Sequence, residues 1–150
     1  MRTVFDDITR NDLTQRIDAL HEKSKVQWGK MNVQQMIQHC ILSNEMILEN
    51  KKYKRAFIGV LLGKMILKKE MQEGSIMRRN SPTIPELVVK ESNADITLLK
   101  NKWKASLASY TQYASADLIF VHAFFGKMTK EQVGYLVYKH TDHHLRQFDC

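Results

Sequence analysis

The stretch YKHTDHHLRQF near the end of the chain holds His140, His143 and His144, half of the six histidines present. On a helix successive residues turn by about 100°. With Val133 as origin, Leu136 falls near about −60°, Val137 about +40°, His140 about −20° and His144 about +20°. Two imidazoles therefore sit in the middle of the stripe that Val133, Leu136 and Val137 turn toward a core. His143, at about −80°, lies on the stripe's edge, and Gln147, at about −40°, continues it with another polar group. Buried imidazoles need partners, because a buried polar group without one is costly. A histidine pair at i, i+4 has the spacing that lets two rings hold one ion. A third ligand must come from another helix. His39 is the best candidate, with Met36 and Ser43 on the same flank of its helix. Three neutral imidazoles leave a coordination position open, as in catalytic rather than structural metal sites. The competing reading is a set of hydrogen-bonded core histidines or a solvated helix end.

The other chemistry-bearing residues are less pointed. His21 stands among Glu22, Lys23 and Lys25 and is expected to be exposed. His122 either approaches the same site from a loop or caps the helix that follows. Cys40 is turned about 100° from His39 into the core stripe and is read as a packing residue, not a nucleophile. Asp142 and Glu45 face away from the core, so no general base is nominated and the catalytic residues stay open.

The elements that must position these groups follow from periodicity and caps. Residues 6–25 carry Ile8, Leu13, Ile17 and Leu20 at helical spacing. Asn32 and Gln35 form a capping-box pattern for a helix running to about Glu49, with Val33, Met36, Ile37, Cys40, Ile41, Ile47 and Leu48 on its apolar face. The apolar segment Ala56–Leu67 is too short to span a bilayer and contains Lys64, so it reads as a buried helix, the alternative being a membrane-surface helix. Between Gln72 and Glu91 the periodicity fades into an extended crossover marked by Gly74, Pro82 and Pro85. Ser92 with Asp95 caps a further helix carrying Ile96, Leu99, Trp103 and Leu107, and an apolar link, Ala114–Met128, follows. Thr129 with Gln132 caps the histidine helix. The expectation is a single all-α domain over residues 1–150, with four principal helices and one long crossover: a four-helix bundle.

Composition agrees. The chain has 150 residues, 43% hydrophobic and 26% charged, which speaks against disorder. Six Gly and two Pro are too few for the many turns of an all-β fold. Cys40 and Cys150 make no disulfide framework and no signal-peptide core is visible, so a cytoplasmic setting is expected. No membrane partner is expected. The net charge of +7 and clusters such as Lys51, Lys52, Lys54 and Arg55 are the sole support for nucleic-acid binding, which ranks low without an accompanying motif.

The segment KHTDHHLRQF resembles the terminal helix of the DinB-like superfamily of metalloenzymes, whose pattern H-x-x-H-H-x-x-Q falls here on His140, His143, His144 and Gln147. WGKMNVQQMIQHC is similar to that superfamily's second-helix motif, through Trp28 and His39. HAFFGKM and RRNSPTIPELVV resemble one uncharacterised branch, although Ala123 stands where that branch has Pro and Val133 where it often has Trp. The resemblance covers nearly the whole chain. It implies an up-down-down-up bundle and a divalent ion, zinc or nickel, on His39, His140 and His144. His122, His143, Gln147 and Ser43 are the candidate supporting or substrate-site residues around it. Relatives include S-transferases and isomerases that use low-molecular-weight thiols, so a small-molecule substrate activated as thiol or water is the leading expectation. A metal-stabilised, stress-related structural role and a homodimer remain alternatives.

Overall fold

Side-chain caps decide where the helices begin. Asp6 accepts a hydrogen bond from the Thr9 amide (2.8 Å) and opens α1, Asp7–Ala19. Asn32 and Gln35 exchange reciprocal bonds at the start of α2, Val33–Leu48, and Thr129 and Gln132 do so for α5, Lys130–Arg146. Both capping boxes match the sequence pattern. The computed structural model describes residues 1–55, 57–91, 93–114 and 120–150. Besides these three helices it contains α3, Phe57–Glu70, and α4, Ile96–Ala108. Short 3-10 turns cover Pro85–Leu87 and Ser109–Tyr113. An antiparallel hairpin pairs β1, Phe120–His122, with β2, Gly126–Met128.

Among the described residues the protein is mainly helical, with five α-helices and a small two-stranded sheet. α2 packs on α4 and α5, and α1 packs on the same two, so their apolar stripes meet in one interior. Leu13, Ile17, Met36, Ile37, Trp103, Leu107 and Val133 are fully buried there. Asn44 ties α2 to α4 by donating to Ser106 Oγ at 2.8 Å, while Tyr110 donates to the Asn44 side-chain Oδ1 at 3.4 Å. α1 stops at Ala19, short of the expected Lys25, where Lys100 of α4 donates to the Asp18 and Leu20 carbonyls, both at 2.8 Å. A lysine there satisfies carbonyls the helix itself leaves open. Ile8, counted above in the apolar period of this helix, faces solvent.

Three further expectations change. The cap of α4 is Asp95 itself, which accepts from the Thr97 and Leu98 amides at 2.7 and 3.0 Å; Ser92 lies outside the described residues. The Ala114–Met128 link contains the hairpin, while residues 115–119, with Leu118 and Ile119, lie outside the description. The Ala56–Leu67 segment does form a helix, but not a buried one. α3 sits outside the packed helices, against β2, and most of its large apolar side chains face solvent. Ala56 is not among the described residues.

Two glycines explain how α3 attaches. Gly59 and Gly63 lie one turn apart on its inner face, and a methyl group at either would collide with the Phe124 carbonyl. Elsewhere in a helix Gly→Ala gains about 1 kcal/mol. Here the clash should reverse the sign. Gly63→Ala is expected to lower the unfolding free energy by about 1–3 kcal/mol in a urea titration; a gain would show that α3 does not lie this close to the hairpin.

Candidate metal centre

His39 projects from the middle of α2, and His140 and His144 project one turn apart from the C-terminal half of α5. Because α2 and α5 pack together, the three rings meet in the interior. One ring nitrogen of each lies within 4.8 Å of the others. Nε2 of His39 and Nε2 of His140 are 3.2 Å apart. Two ligands about 2.05 Å from a tetrahedral ion would stand about 3.3 Å apart. The His39–His140 spacing already has that value, and the His144 nitrogen lies within 4.8 Å of both. Ring centroids are 4.6–5.2 Å apart for all three pairs, and every pair is tilted or edge-on.

Hydrogen bonds on the far side of two rings fix which nitrogen faces the cluster. His39 Nδ1–H donates to the Leu87 carbonyl at 2.9 Å. A carbonyl only accepts, so in the neutral ring Nε2 carries the lone pair. His144 Nδ1–H donates to Gln147 Oε1 at 2.9 Å, while Gln147 Nε2 donates to the Trp28 carbonyl at 2.7 Å. That second bond orients the amide and thereby the tautomer of His144. The Gln27 amide also donates to the Gln147 carbonyl (2.8 Å), which ties the 27–28 segment to the end of α5. Gly29, at φ +86°, is required beside it, since a Cβ would press on the Gln147 amide. Partners of this kind orient imidazole ligands in metal sites.

Burial keeps the three rings neutral. His39 is 5% and His144 7% exposed, and His140 is half-buried. Burial lowers the His39 pKa, against a raising effect of the Leu87 carbonyl. It pushes His144 down to about 3, with His39 adding to the shift and Gln147 opposing it. His140 is held well below its ordinary value by burial and then by the neighbouring imidazoles, His144 first. No carboxylate joins the cluster among the described residues. Three unprotonated rings converging without a counter-charge are a donor set that can hold a metal ion.

The other singled-out residues fall around this centre rather than in it. Gln147, buried at the C-cap of α5, is the hydrogen-bonding partner of His144. His143 lies between Trp28, at 5.4 Å between ring centroids, and His144, at 5.1 Å. It lines a groove of about 520 Å³ with Trp28, Arg79, Tyr138 and Arg146, and Arg79 rests 4.1 Å above the Trp28 ring. The three clustered histidines do not line that groove; His143 stands between. Ser43, one turn past His39, is half-buried and outside the cluster. His122 neither joins the cluster nor caps α5. Its Nδ1 accepts from the Phe124 and Phe125 amides at 3.0 and 3.3 Å and so closes the hairpin turn. His21 is exposed and Cys40 is buried, its thiol pushed up by burial, as the sequence pattern implied. Asp142 is not free on the surface but pairs with Arg16 at 2.8 Å and Arg146 at 3.0 Å. The Leu87 and Trp28 carbonyls were missed, because a backbone oxygen leaves no mark in a sequence.

Fold and site together define a mainly helical protein with an interior three-histidine centre fed by two of its helices. The chain belongs to the family described as Protein of unknown function (DUF1569), whose model matches residues 5–149. No curated protein and no solved structure matches it.

The depressed histidine pKa values fix a pH dependence for the metal-free protein. A histidine buried neutral binds its proton more weakly folded than unfolded, so the unfolded chain takes up more protons below pH about 6.5. Stability is therefore full above that pH and falls as pH drops toward the folded values, about 4 for His122 and about 3 for His144. His122 and His144 should each remove about 2 kcal/mol between pH 6.5 and 5. Urea midpoints of the chelator-treated protein across this range check it; a flat profile would contradict the neutral, buried arrangement.

Proposed function

We propose that His39, His140 and His144 hold one divalent cation, zinc or nickel, through Nε2, and that the protein is a metal-dependent enzyme acting on a small molecule. The observation that carries the reading is the pair of outward hydrogen bonds, His39 to Leu87 and His144 to Gln147. They turn both lone pairs inward, where among the described residues no donor besides His140 meets them. Two rings held with their lone pairs toward one point, with a third ring beside them, are what a shared ion requires. Such an ion, when bound with a position left open, lowers the pKa of a coordinated thiol or water, the chemistry of thiol transferases and hydrolases.

The resemblance to DinB-like metalloenzymes supports this assignment, as does the mutual packing of α1, α2, α4 and α5, which suits a four-helix bundle of up-down-down-up order. The remaining residues serve the substrate. The groove beside the centre presents the Trp28 and Tyr138 rings with Arg79 and Arg146. Arg79, stacked on Trp28, suits a substrate carboxylate, as in an acidic low-molecular-weight thiol, while Arg146 is paired with Asp142, which also lines the groove. His143 forms the wall between groove and centre, and its burial-lowered pKa leaves it neutral, able to accept or donate one hydrogen bond there. A cytoplasmic setting fits free thiols at Cys40 and Cys150.

A structural role for the same ion is the second reading, favoured by the way the cluster joins α2 to α5 in the interior. The two separate on a chelator. An enzyme's bundle keeps its helicity when the metal is removed and loses turnover, whereas a metal staple unfolds.

The test is metal content per chain after purification from zinc- and nickel-containing medium. One ion per chain is expected, none in His140→Ala/His144→Ala, and a roughly 10–100-fold weaker affinity in Gln147→Ala. A wild-type content near zero, or one unchanged by the double substitution, sinks the metal assignment.

A further inference from the structure

Nothing among the described residues covers the outer face of α3. Between residues 51 and 69 the chain carries Lys51, Lys52, Lys54, Arg55, Lys64, Lys68 and Lys69 and no Asp or Glu. Taking Gly59 as origin, the buried Gly59, Gly63 and Leu67 span about 0° to 80° around the helix. Ile58, Leu61, Leu62 and Met65 fall between about −60° and −160°, on a separate arc facing away from the protein. They are 61%, 67%, 43% and 64% exposed, and Phe57 beside them is 77% exposed. One exposed apolar side chain needs no explanation, but five contiguous ones on one helix mark an interaction surface.

The charges choose the partner. Lys51 is taken up by Glu49 at 3.1 Å, and Arg55 donates to the Gly59 and Phe124 carbonyls. Lys52, Lys54, Lys64, Lys68 and Lys69 are exposed, with no carboxylate within ion-pair distance among the described residues. An apolar arc framed at both ends by cations fits a surface that is apolar below and anionic at its rim. A second copy of the chain would set two such cation groups against each other. At 14 residues the helix is also too short to cross a bilayer, and no helix among the described residues is long and apolar enough to do so.

We propose that α3, with the basic segment before it, docks in the plane of an anionic lipid surface, its apolar side chains in the headgroup–acyl boundary and its lysines among the phosphates. The glycine contact with Phe124 holds the helix to the hairpin from behind, so that its outer arc is presented as a rigid face. Helices of this composition bind interfaces by the sum of buried apolar area and electrostatic attraction, not by spanning.

The experiment is cosedimentation of the full chain with vesicles of phosphatidylcholine alone, and with about 30% phosphatidylglycerol, at about 50 and about 500 mM NaCl. Retention on the anionic vesicles, weakened by salt and absent from the neutral ones, is expected. Ile58→Glu/Leu61→Glu should abolish it, and Lys64→Gln/Lys68→Gln/Lys69→Gln should weaken it at least roughly tenfold. All five positions face solvent, so circular dichroism and Tm should stay at wild-type values; the lysine variant tests the surface even if the glutamates disturb α3. No retention on anionic vesicles overturns the proposal. So does retention that the glutamates leave unchanged, which would be adsorption by charge alone. A lipid-free dimer in sedimentation velocity, split by Ile58→Glu/Leu61→Glu and without vesicle binding, would assign the face to self-association instead.

Discussion

The arrangement of this protein rests on the cost of placing imidazole rings in its interior. Three of them enter the space between α2 and α5, where solvent cannot satisfy their nitrogens. The chain answers with fixed oxygen acceptors: the Leu87 carbonyl from the crossover, and the Gln147 amide, itself held by the Trp28 carbonyl. Each acceptor comes from a different part of the chain. The interior polar set thus links the 27–28 segment, α2, the 3-10 turn of the crossover and the end of α5 into one network. Remove an acceptor and a ring is free to change tautomer or turn. In that sense the centre orders the fold as much as the fold builds the centre.

The same constraint explains the shape of the neighbouring connections. The crossover brings Leu87 to the His39 side of α2, where its Pro85–Leu87 turn ends with that carbonyl bonded to the His39 ring. Trp28 does two things at once. Its carbonyl receives Gln147, and its ring carries Arg79 on one face and meets His143. A groove with aromatic walls and two arginines therefore lies one side chain from the centre. The buried donor set and an open groove are thus neighbours, separated by the His143 ring.

α3 follows a different logic. α1, α2, α4 and α5 bury their apolar stripes against one another, but α3 attaches by Gly59, Gly63 and Leu67 and turns most of its large side chains outward. Hydrophobicity alone drew the expectation of a buried helix. Close approach through Gly59 and Gly63 leaves only a thin strip in contact, so burial of the remaining side chains must come from outside the described chain or not at all.

Much of this was legible in the residues. Both capping boxes, the histidine stripe of α5, the burial of Cys40 and the exposure of His21 follow from local geometry, since helix spacing and cap chemistry act over three or four residues. His39 as the third ring rested on an expectation about which helices meet, and their packing brings it there. What the sequence could not decide was everything carried by distance in the chain. Backbone acceptors such as Leu87 and Trp28 have no residue signature, and Gly59, read along a helix, does not announce the Phe124 carbonyl. The hairpin, with His122 closing its turn rather than approaching the centre, depends on a pairing of two three-residue strands too short to show periodicity. Periodicity reports which face of an element is apolar; only the tertiary structure says what, if anything, that face is pressed against.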